Sequence, residues 1–248
     1  MLHSAPRPSP YRWLCLCLDG LLPRHCVLCG QRSGSGNLCT PCRADLPRPG
    51  RVCRRCALPA PYAGDLPCGR CLQRPPPWER SVAALSYVDP ADWLVCRFKF
   101  GRDFSCGQVL GLELLDAISR SDHPPPDLIA PVPLHRARHF SRTFNQADLL
   151  ARFLGREMGI PVHSRLLVRN RTTRAQSGLS AAGRRRNIRG AFHCGCELVP
   201  ANAHVALVDD VMTTGATLTE CTKTLRKDGV ARVSVWVTAR APTRDGMQ

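Results

Sequence analysis

The sequence lacks an apolar run long enough to cross a bilayer, and it lacks the basic-then-apolar layout of a secretory signal. Its apolar early stretch, Trp13 to Leu22, is short and is interrupted by Asp19 and Gly20. These absences argue against membrane insertion and against secretion. We therefore expect a cytoplasmic protein in a reducing compartment, where clustered cysteines bind metal more often than they form disulfides.

Acidic residues are also scarce in this chain. It has 19 Asp and Glu against 35 Lys and Arg, which gives a formal net charge of +16. This balance favours polyanionic partners, either a nucleic acid or a substrate that carries pyrophosphate. The arginines are spread along the chain, so a general compositional bias is the alternative to DNA binding.

Cysteines are abundant, and eight of the 15 form four pairs with two residues inside each pair. Because each such pair directs two sulfurs at one ion, four pairs in series predict two tetrahedral, structural zinc sites. If consecutive cysteine pairs share an ion, metal binding closes the shortest chain loops. An interleaved grouping of the pairs is the alternative. A redox role for one pair is the competing interpretation. The predicted ligands are Cys26, Cys29, Cys39 and Cys42 for one ion, and Cys53, Cys56, Cys68 and Cys71 for the other.

A proline run, Pro75 to Pro77, follows the last cysteine pair and predicts a stiff connection. We place a domain boundary there. The predicted organisation is a leader segment over residues 1–25, a double zinc ribbon over 26–74 and an α/β domain over 78–248. Within the last of these, apolar patterns predict strands at 81–88 and 127–132 and a helix at 103–120.

Two acids, Asp209 and Asp210, follow the apolar run Val205 to Val208, which predicts a strand buried on both faces of a parallel sheet. Ligands of open α/β sheets bind at the carboxyl ends of such strands, and the free amides of the next helix bind phosphate. Two carboxylates there suit a ribose diol or the magnesium that accompanies a phosphorylated sugar. The alternative is a solvated strand end with an ordinary helix cap. The predicted phosphate turn consists of Thr213, Thr214, Gly215, Ala216 and Thr217.

A second strand, at residues 127–132, leads through a basic loop into another helical pattern. Two crossovers of this kind place two anion-binding loops at the same edge of one sheet. We predict that Arg136, Arg138 and Arg142 neutralise a pyrophosphate, because guanidinium groups bind such anions with two parallel hydrogen bonds. A solvated basic loop is the alternative.

The string from Val205 to Thr217 resembles the signature of the type I phosphoribosyltransferases, which bind phosphoribosyl pyrophosphate. Together with the cysteine array, further motifs extend the resemblance to the ComF family of competence-associated, phosphoribosyltransferase-like proteins, over about residues 26–240. Those motifs are Pro131-Val132-Pro133-Leu134-His135, Phe144-Asn145-Gln146 and Gln176-Ser177-Gly178-Leu179-Ser180. Thr143 stands where the family usually has a glycine in the pyrophosphate loop.

The resemblance implies a fold and a site. The fold would be a type I phosphoribosyltransferase-like parallel sheet flanked by helices and preceded by the zinc ribbon. Asp209 and Asp210 would contact the ribose hydroxyls and magnesium and would be the catalytic residues. Residues 169–189 would form a mobile loop that excludes water from the reacting centre, and Lys99 is a further candidate phosphate contact. The arginines of that loop that could stabilise charge are Arg171, Arg174 and Arg184.

The resemblance also implies a role in DNA uptake or in the use of external DNA. The expected ligand is phosphoribosyl pyrophosphate with magnesium, and the candidate partners are single-stranded DNA and proteins of the DNA-uptake machinery. One alternative is an active phosphoribosyltransferase of nucleobase salvage, a glycosyltransferase whose acceptor the sequence does not identify. Another is a non-catalytic factor that binds single-stranded DNA.

Overall fold

The computed structural model describes residues 24–34, 36–60, 67–134, 144–169, 188, 190–195 and 202–242. The chain separates into two compact units, residues 1–46 and 47–248, and each unit contains one of the two cysteine clusters. The second cysteine cluster therefore belongs to the same unit as the α/β elements. The domain boundary expected at residues 74–78 stays a prediction.

The smaller unit contains little secondary structure and little core among its described residues. Its helix α1 is Thr40–Ala44, and no residue of α1 is buried. Within the described residues of this unit, only Cys26 and Leu46 have buried side chains. So small an apolar core contributes little to stability, and metal binding must supply much of the folding free energy.

A four-stranded, fully parallel sheet with the strand order β1-β6-β5-β2 forms the centre of the larger unit. Val205 to Val208 are completely buried in it, as expected for parallel strands that helices cover on both faces. The strands are β1 (Arg80–Ser86), β2 (Leu128–Pro131), β5 (His204–Met212) and β6 (Arg232–Arg240). A separate antiparallel pair consists of β3 (Leu167–Arg169) and β4 (Phe192–Cys194).

Helices flank this sheet. The short helix α2 (Gly69–Gln73) belongs to the second cysteine cluster, and the longer helices are α3 (Ala91–Phe100), α4 (Phe104–Ser119), α5 (Gln146–Met158) and α6 (Ala216–Lys227). Helix α4 packs against β1 and β6, α5 packs against β2 and β5, and α3 packs against α4. The buried leucines of α6, Leu218 and Leu225, cluster with alternate residues of β5 and β6, so α6 covers the opposite face. The predicted α/β architecture, a parallel sheet flanked by helices and preceded by a cysteine-rich region, is confirmed. Within the described residues, no helix combines the length and the apolar character that crossing a bilayer requires.

The strand that carries the two acids is longer than the sequence pattern predicts. Strand β5 continues to Met212, so Asp209 and Asp210 lie inside the strand and not after it. The reason is its neighbour: β6 is equally long, and Asp209 and Val211 pair with Val237 and Ala239. The strands predicted at 81–88 and 127–132 and the helix predicted at 103–120 agree with β1, β2 and α4 to within two residues.

Candidate functional site

The first four predicted cysteines come together as one cluster. The sulfurs of Cys26, Cys29, Cys39 and Cys42 all lie within 4.8 Å of one another. The Sγ atoms of Cys29 and Cys39 are 3.7 Å apart, close to the roughly 3.8 Å edge of a tetrahedron with zinc–sulfur bonds of about 2.3 Å. A tight turn shapes the site, because the Gly30 amide donates to the Cys26 carbonyl over 2.9 Å.

The second four cysteines form an equivalent cluster in the larger unit. The sulfurs of Cys53, Cys56, Cys68 and Cys71 also lie within 4.8 Å of one another, and the Sγ atoms of Cys56 and Cys68 are 3.7 Å apart. The backbone amide of Cys68 donates to Cys53 Sγ over 3.2 Å, a contact that favours a thiolate. The cysteine pairs are thus grouped in chain order. Both clusters have the donor set and spacing of a structural zinc site.

The two acids of β5 point to opposite faces of the sheet, because successive side chains of a strand alternate. Asp209 shares its face with Val205 and Leu207. Asp210 points to the other face, where its carboxylate forms an ion pair with Lys99 Nζ at 2.9 Å. The Thr238 hydroxyl donates to the backbone oxygen of Asp210 over 2.6 Å and fixes this part of the strand against β6.

The Asp209 carboxyl is the group whose protonation the site perturbs most clearly. Burial raises the pKa of Asp209 to about 8, the neighbouring Asp210 carboxylate raises it as well, and Lys99 acts in the opposite direction. Two adjacent carboxylates in a partly desolvated place resist ionising together. A bound cation would relieve that repulsion, so this charge arrangement suits a magnesium-bearing or hydroxyl-bearing ligand.

The predicted phosphate turn lies directly between β5 and α6. Gly215 is the N-cap residue of α6 and has a φ of +72°, a left-handed conformation that glycine adopts without steric cost. The Ala216 amide lies 3.3 Å from Thr214 Oγ1. The turn thus presents the first amides of a helix, which carry partial positive charge, at the carboxyl end of a central strand.

The Phe144-Asn145-Gln146 motif has a structural role in the described residues. Asn145 caps α5, since its side chain accepts from the Ala147 amide over 3.1 Å and donates to the Val132 carbonyl over 3.1 Å. Gln146 is 1% exposed, and its Nε2 donates to the Lys99 carbonyl over 3.3 Å. The motif therefore ties the end of β2 and the Lys99 segment of α3 to the start of α5.

Other predicted site residues lie outside the described residues. They are the pyrophosphate-loop arginines Arg136, Arg138 and Arg142 and the mobile-loop arginines Arg171, Arg174 and Arg184. Conversely, sequence reasoning missed two residues that contact the predicted phosphate turn: Trp78, which lies just before β1, and Arg240, the last residue of β6. Neither carries a recognisable motif, because their roles depend on contacts between residues far apart in the chain.

These features define a class: a double zinc ribbon protein with an α/β domain in which an acid pair and a glycine-containing turn lie near the carboxyl end of a central parallel strand. The model of the double zinc ribbon domain family matches residues 17–72. "DNA utilization protein YhgH" of Escherichia coli O157:H7 is 39% identical over 225 residues, which cover 88% of this chain and 98% of that protein. "Competence protein F" of Haemophilus influenzae is 37% identical over 227 residues, which cover 88% and 97%. At this identity and coverage, the chain belongs to the ComF family of these two proteins.

Solved phosphoribosyltransferases are also among the similar structures. The adenine phosphoribosyltransferase of Leishmania tarentolae is 16% identical, with a TM-score of 0.34, over 57% of this chain and 74% of that chain. The structure titled "allosteric regulatory enzyme of purine biosynthesis" is 25% identical, with a TM-score of 0.35, over 53% and 25%.

Proposed function

We propose that the protein binds phosphoribosyl pyrophosphate with magnesium at the carboxyl end of β5, and that it acts in the uptake or use of external DNA. One observation carries the ligand assignment: β5 leads both acids directly into a left-handed Gly215 and the N-terminus of α6. Carboxylates that suit ribose hydroxyls thus lie next to amides that suit a phosphate, within one continuous segment.

Each part of the ligand has a proposed contact. Asp209 and Asp210 would hold the ribose hydroxyls and magnesium, and the turn from Thr213 to Thr217 would hold the 5-phosphate. Lys99 pairs with Asp210 over 2.9 Å, so a cation bound at Asp210 would compete with the Lys99 ammonium group and free it to contact a phosphate. The arginines at 136, 138 and 142 would neutralise the pyrophosphate, and those at 171, 174 and 184 would approach from the mobile loop.

This arrangement would also support a transferase reaction. Pyrophosphate would leave the ribose C1 as a nitrogen nucleophile attacks, and the bound magnesium would stabilise the charge that develops on the leaving group. No protein nucleophile is needed for this displacement. Turnover would appear as pyrophosphate release that depends on an added nucleobase and disappears in Asp209→Asn.

Calorimetric titration tests the ligand site. Zinc-loaded protein should release heat with phosphoribosyl pyrophosphate and magnesium, whereas Asp209→Asn and Asp210→Asn should bind at least about tenfold more weakly. Asp116→Asn is the matched control, because Asp116 forms an exposed helical ion pair with Arg120 on α4 and should leave affinity unchanged. The ligand assignment is wrong if the zinc-loaded wild type gives no heat.

The DNA role rests on the family and on charge. The relatives are named for DNA utilization and competence, and the formal charge of +16 stays near +12 after two zinc–thiolate centres contribute about −2 each. We expect single-stranded DNA to bind through backbone phosphates, so affinity should fall steeply as salt rises. An absence of binding even at low salt would restrict any DNA role to one mediated by partner proteins.

A further inference from the structure

The second cysteine cluster is joined to the phosphate turn by two buried side chains. The first is Arg240, which is 7% exposed at the end of β6. Its Nε donates to the Cys56 carbonyl over 2.8 Å, and its Nη1 lies 2.9 Å from the Met212 carbonyl and 2.5 Å from the Thr213 carbonyl. One guanidinium group therefore holds a cysteine ligand of the second cluster and the first residues of the turn together.

The second connection is Trp78, which is 3% exposed. Its indole Nε1 donates to the Arg55 carbonyl over 2.6 Å, and Arg55 Nη1 donates back to the Trp78 carbonyl over 3.0 Å. The far edge of the ring packs on Gly215, where an added Cβ would lie only 3.0 Å from the ring. The loop between Cys53 and Cys56 thus supports the turn through a rigid aromatic side chain.

The main chain of that cysteine loop is itself fixed to β1. The Ser81 amide donates to the Arg54 carbonyl over 2.8 Å, and the Ser81 hydroxyl donates to the Arg55 carbonyl over 3.0 Å. Ala57 is 1% exposed and belongs to the same apolar cluster as Val205 and Leu207. The Cys56 and Arg55 carbonyls accept hydrogen bonds from Arg240 and Trp78. These carbonyls are therefore held in two ways, by the sheet and by the metal that the cysteines bind.

Charge supports the same connection. Among the described residues, each hydrogen bond of Arg240 ends on a neutral backbone carbonyl, so none of these bonds neutralises its charge. A zinc ion with four thiolates carries a net charge of about −2, which compensates a buried guanidinium that would otherwise be costly.

We propose that zinc in the second cluster, through the positioning residues Arg240 and Trp78, holds the phosphate turn in its binding conformation, so that ligand affinity depends on this zinc and not on the first. The inference rests on the proposed function, because the turn must be the phosphate site for the coupling to affect affinity. Its physical basis is preorganisation: a turn that is already fixed loses less conformational entropy when it binds a phosphate.

Hydrogen exchange tests the coupling without any ligand. In Cys68→Ser, which removes one ligand of the second cluster, amide exchange over residues 211–219 should accelerate about tenfold or more. The matched variant Cys42→Ser removes one ligand of the first cluster and should leave this segment unchanged. Peptides from α5 check that the sheet domain stays folded in both. Unchanged exchange at 211–219 in folded, zinc-depleted Cys68→Ser overturns the inference, whether or not the protein binds phosphoribosyl pyrophosphate.

Two substitutions that keep all eight cysteines provide a second test. Arg240→Lys keeps the charge but loses the forked donors, and Trp78→Phe keeps an aromatic ring but loses the indole N–H. Both should retain two zinc ions and bind phosphoribosyl pyrophosphate about tenfold more weakly. Arg152→Lys is the control, because Arg152 forms an exposed ion pair with Asp148 on α5, and this variant should bind normally. Normal affinity in both test variants contradicts the coupling, whereas absent wild-type binding contradicts the ligand assignment alone.

Thermodynamic linkage between zinc binding and ligand binding provides a further measurement, the zinc affinity in the presence of ligand, which a merely structural role would not change. If the second zinc strengthens ligand binding by some factor, the ligand must strengthen zinc binding by the same factor. Competition with a zinc-selective chelator should therefore show tighter binding of one of the two zinc ions when phosphoribosyl pyrophosphate is present. In Arg240→Lys that difference should shrink, and an identical difference in wild type and variant would refute the role of Arg240.

Discussion

At the scale of single residues, the ion pair between Lys99 and Asp210 sets the electrostatics of the acid pair. The two side chains are 17% and 13% exposed, so water screens them little. An exposed pair contributes almost nothing to stability, but removal of one member of a buried pair leaves an uncompensated charge. Lys99 is thus expected to contribute to the stability of the fold and to the charge balance of the acid pair.

We expect Lys99→Met to lower the free energy of unfolding by about 1–3 kcal/mol at neutral pH, because Asp210 loses its counter-charge beside Asp209. Magnesium should restore part of that loss by neutralising the same carboxylate. Urea denaturation with and without magnesium measures both effects. Arg120→Met, which breaks an exposed pair on α4, should cost less than about 1 kcal/mol and should not respond to magnesium. Equal losses in the two variants would contradict the prediction.

His204 predicts a pH dependence of stability. It lies in β5, is 4% exposed, and its Nε2 is 2.7 Å from Ser234 Oγ. Burial lowers the pKa of His204 below its ordinary 6.5, and Arg232 lowers it further. Below pH 6.5 the unfolded chain therefore binds this proton more readily than the folded protein, so stability is present above that pH and is lost as pH falls.

We expect the melting temperature of His204→Gln to fall less steeply than that of the wild type as pH drops from about 8 to 5. The corresponding difference in the pH slope of the free energy of unfolding should not exceed about 1.4 kcal/mol per pH unit, the limit for one proton. His163→Gln, at a residue outside the buried core, is the control and should follow the wild type. Parallel curves for His204→Gln and wild type would show that another group causes the acid sensitivity.

At the scale of elements, the turn from β5 to α6 combines two constraints on one residue. Gly215 has a φ of +72°, and a Cβ added there would lie only 3.0 Å from the Trp78 ring, so the ring would have to shift. Gly159, the C-cap residue of α5, has a nearly identical φ of +69° but open space around it. The two glycines separate the cost of backbone strain from the cost of a steric contact.

Gly159→Ala should therefore cost about 1 kcal/mol of stability through strain alone. Gly215→Ala should cost more, and it should also weaken binding of phosphoribosyl pyrophosphate, because the ring of Trp78 or the turn must move. Thermal unfolding and calorimetric titration of both variants measure the comparison. If the two variants lose the same stability and both bind normally, the packing of Trp78 on Gly215 does not shape the site.

The elements also explain how far the sequence could predict this protein. Strands and helices with strong apolar periods, such as β1, β2 and α4, agree with their predicted ranges because their pattern reports burial directly. A helical pattern around Cys96 is visible, but it does not give the bounds of α3, since Trp93, Phe98 and Phe100 distribute apolar groups around the helix and only some of them are buried. The end of β5 was placed too early, because pairing with β6 extends the strand past two charged residues. The local sequence pattern does not show which strands pair with each other.

Some residues of the candidate site could likewise be predicted from the sequence, and others could not. Both cysteine clusters and the acid pair follow from spacing within short segments, so the sequence predicts them. The contacts of Lys99 with Asp210, of Trp78 with Gly215 and of Arg240 with Cys56 join residues about 100 or more positions apart. Such contacts depend on strand order, which places β6 between β1 and β5.

At the scale of the whole molecule, the two units should depend on zinc to different degrees. The smaller unit buries only Cys26 and Leu46 among its described residues, whereas Ala57, next to the second cluster, is part of the main apolar core. Metal removal should therefore unfold the first cluster and leave the parallel sheet folded.

Elemental analysis of freshly purified protein should give two zinc ions per chain, and a ratio near one contradicts the two-site form. After chelation, limited proteolysis should cut first within residues 24–46, while far-ultraviolet circular dichroism retains most of its helical signal. Restoring zinc should restore resistance to the protease. Simultaneous loss of resistance in both units would show that the sheet also requires metal.

The shared guanidinium of Arg240 has an evolutionary consequence. A cysteine that is lost from the second cluster leaves the buried Arg240 cation without its thiolate counter-charge. Loss of the cysteine and replacement of the arginine therefore cannot be neutral independently. Relatives that have dropped this cluster should therefore have replaced the arginine and the tryptophan as well, whereas relatives that have dropped only the first cluster should keep both. An alignment of the family would reveal this pattern as covariation between residues 56, 71, 78 and 240.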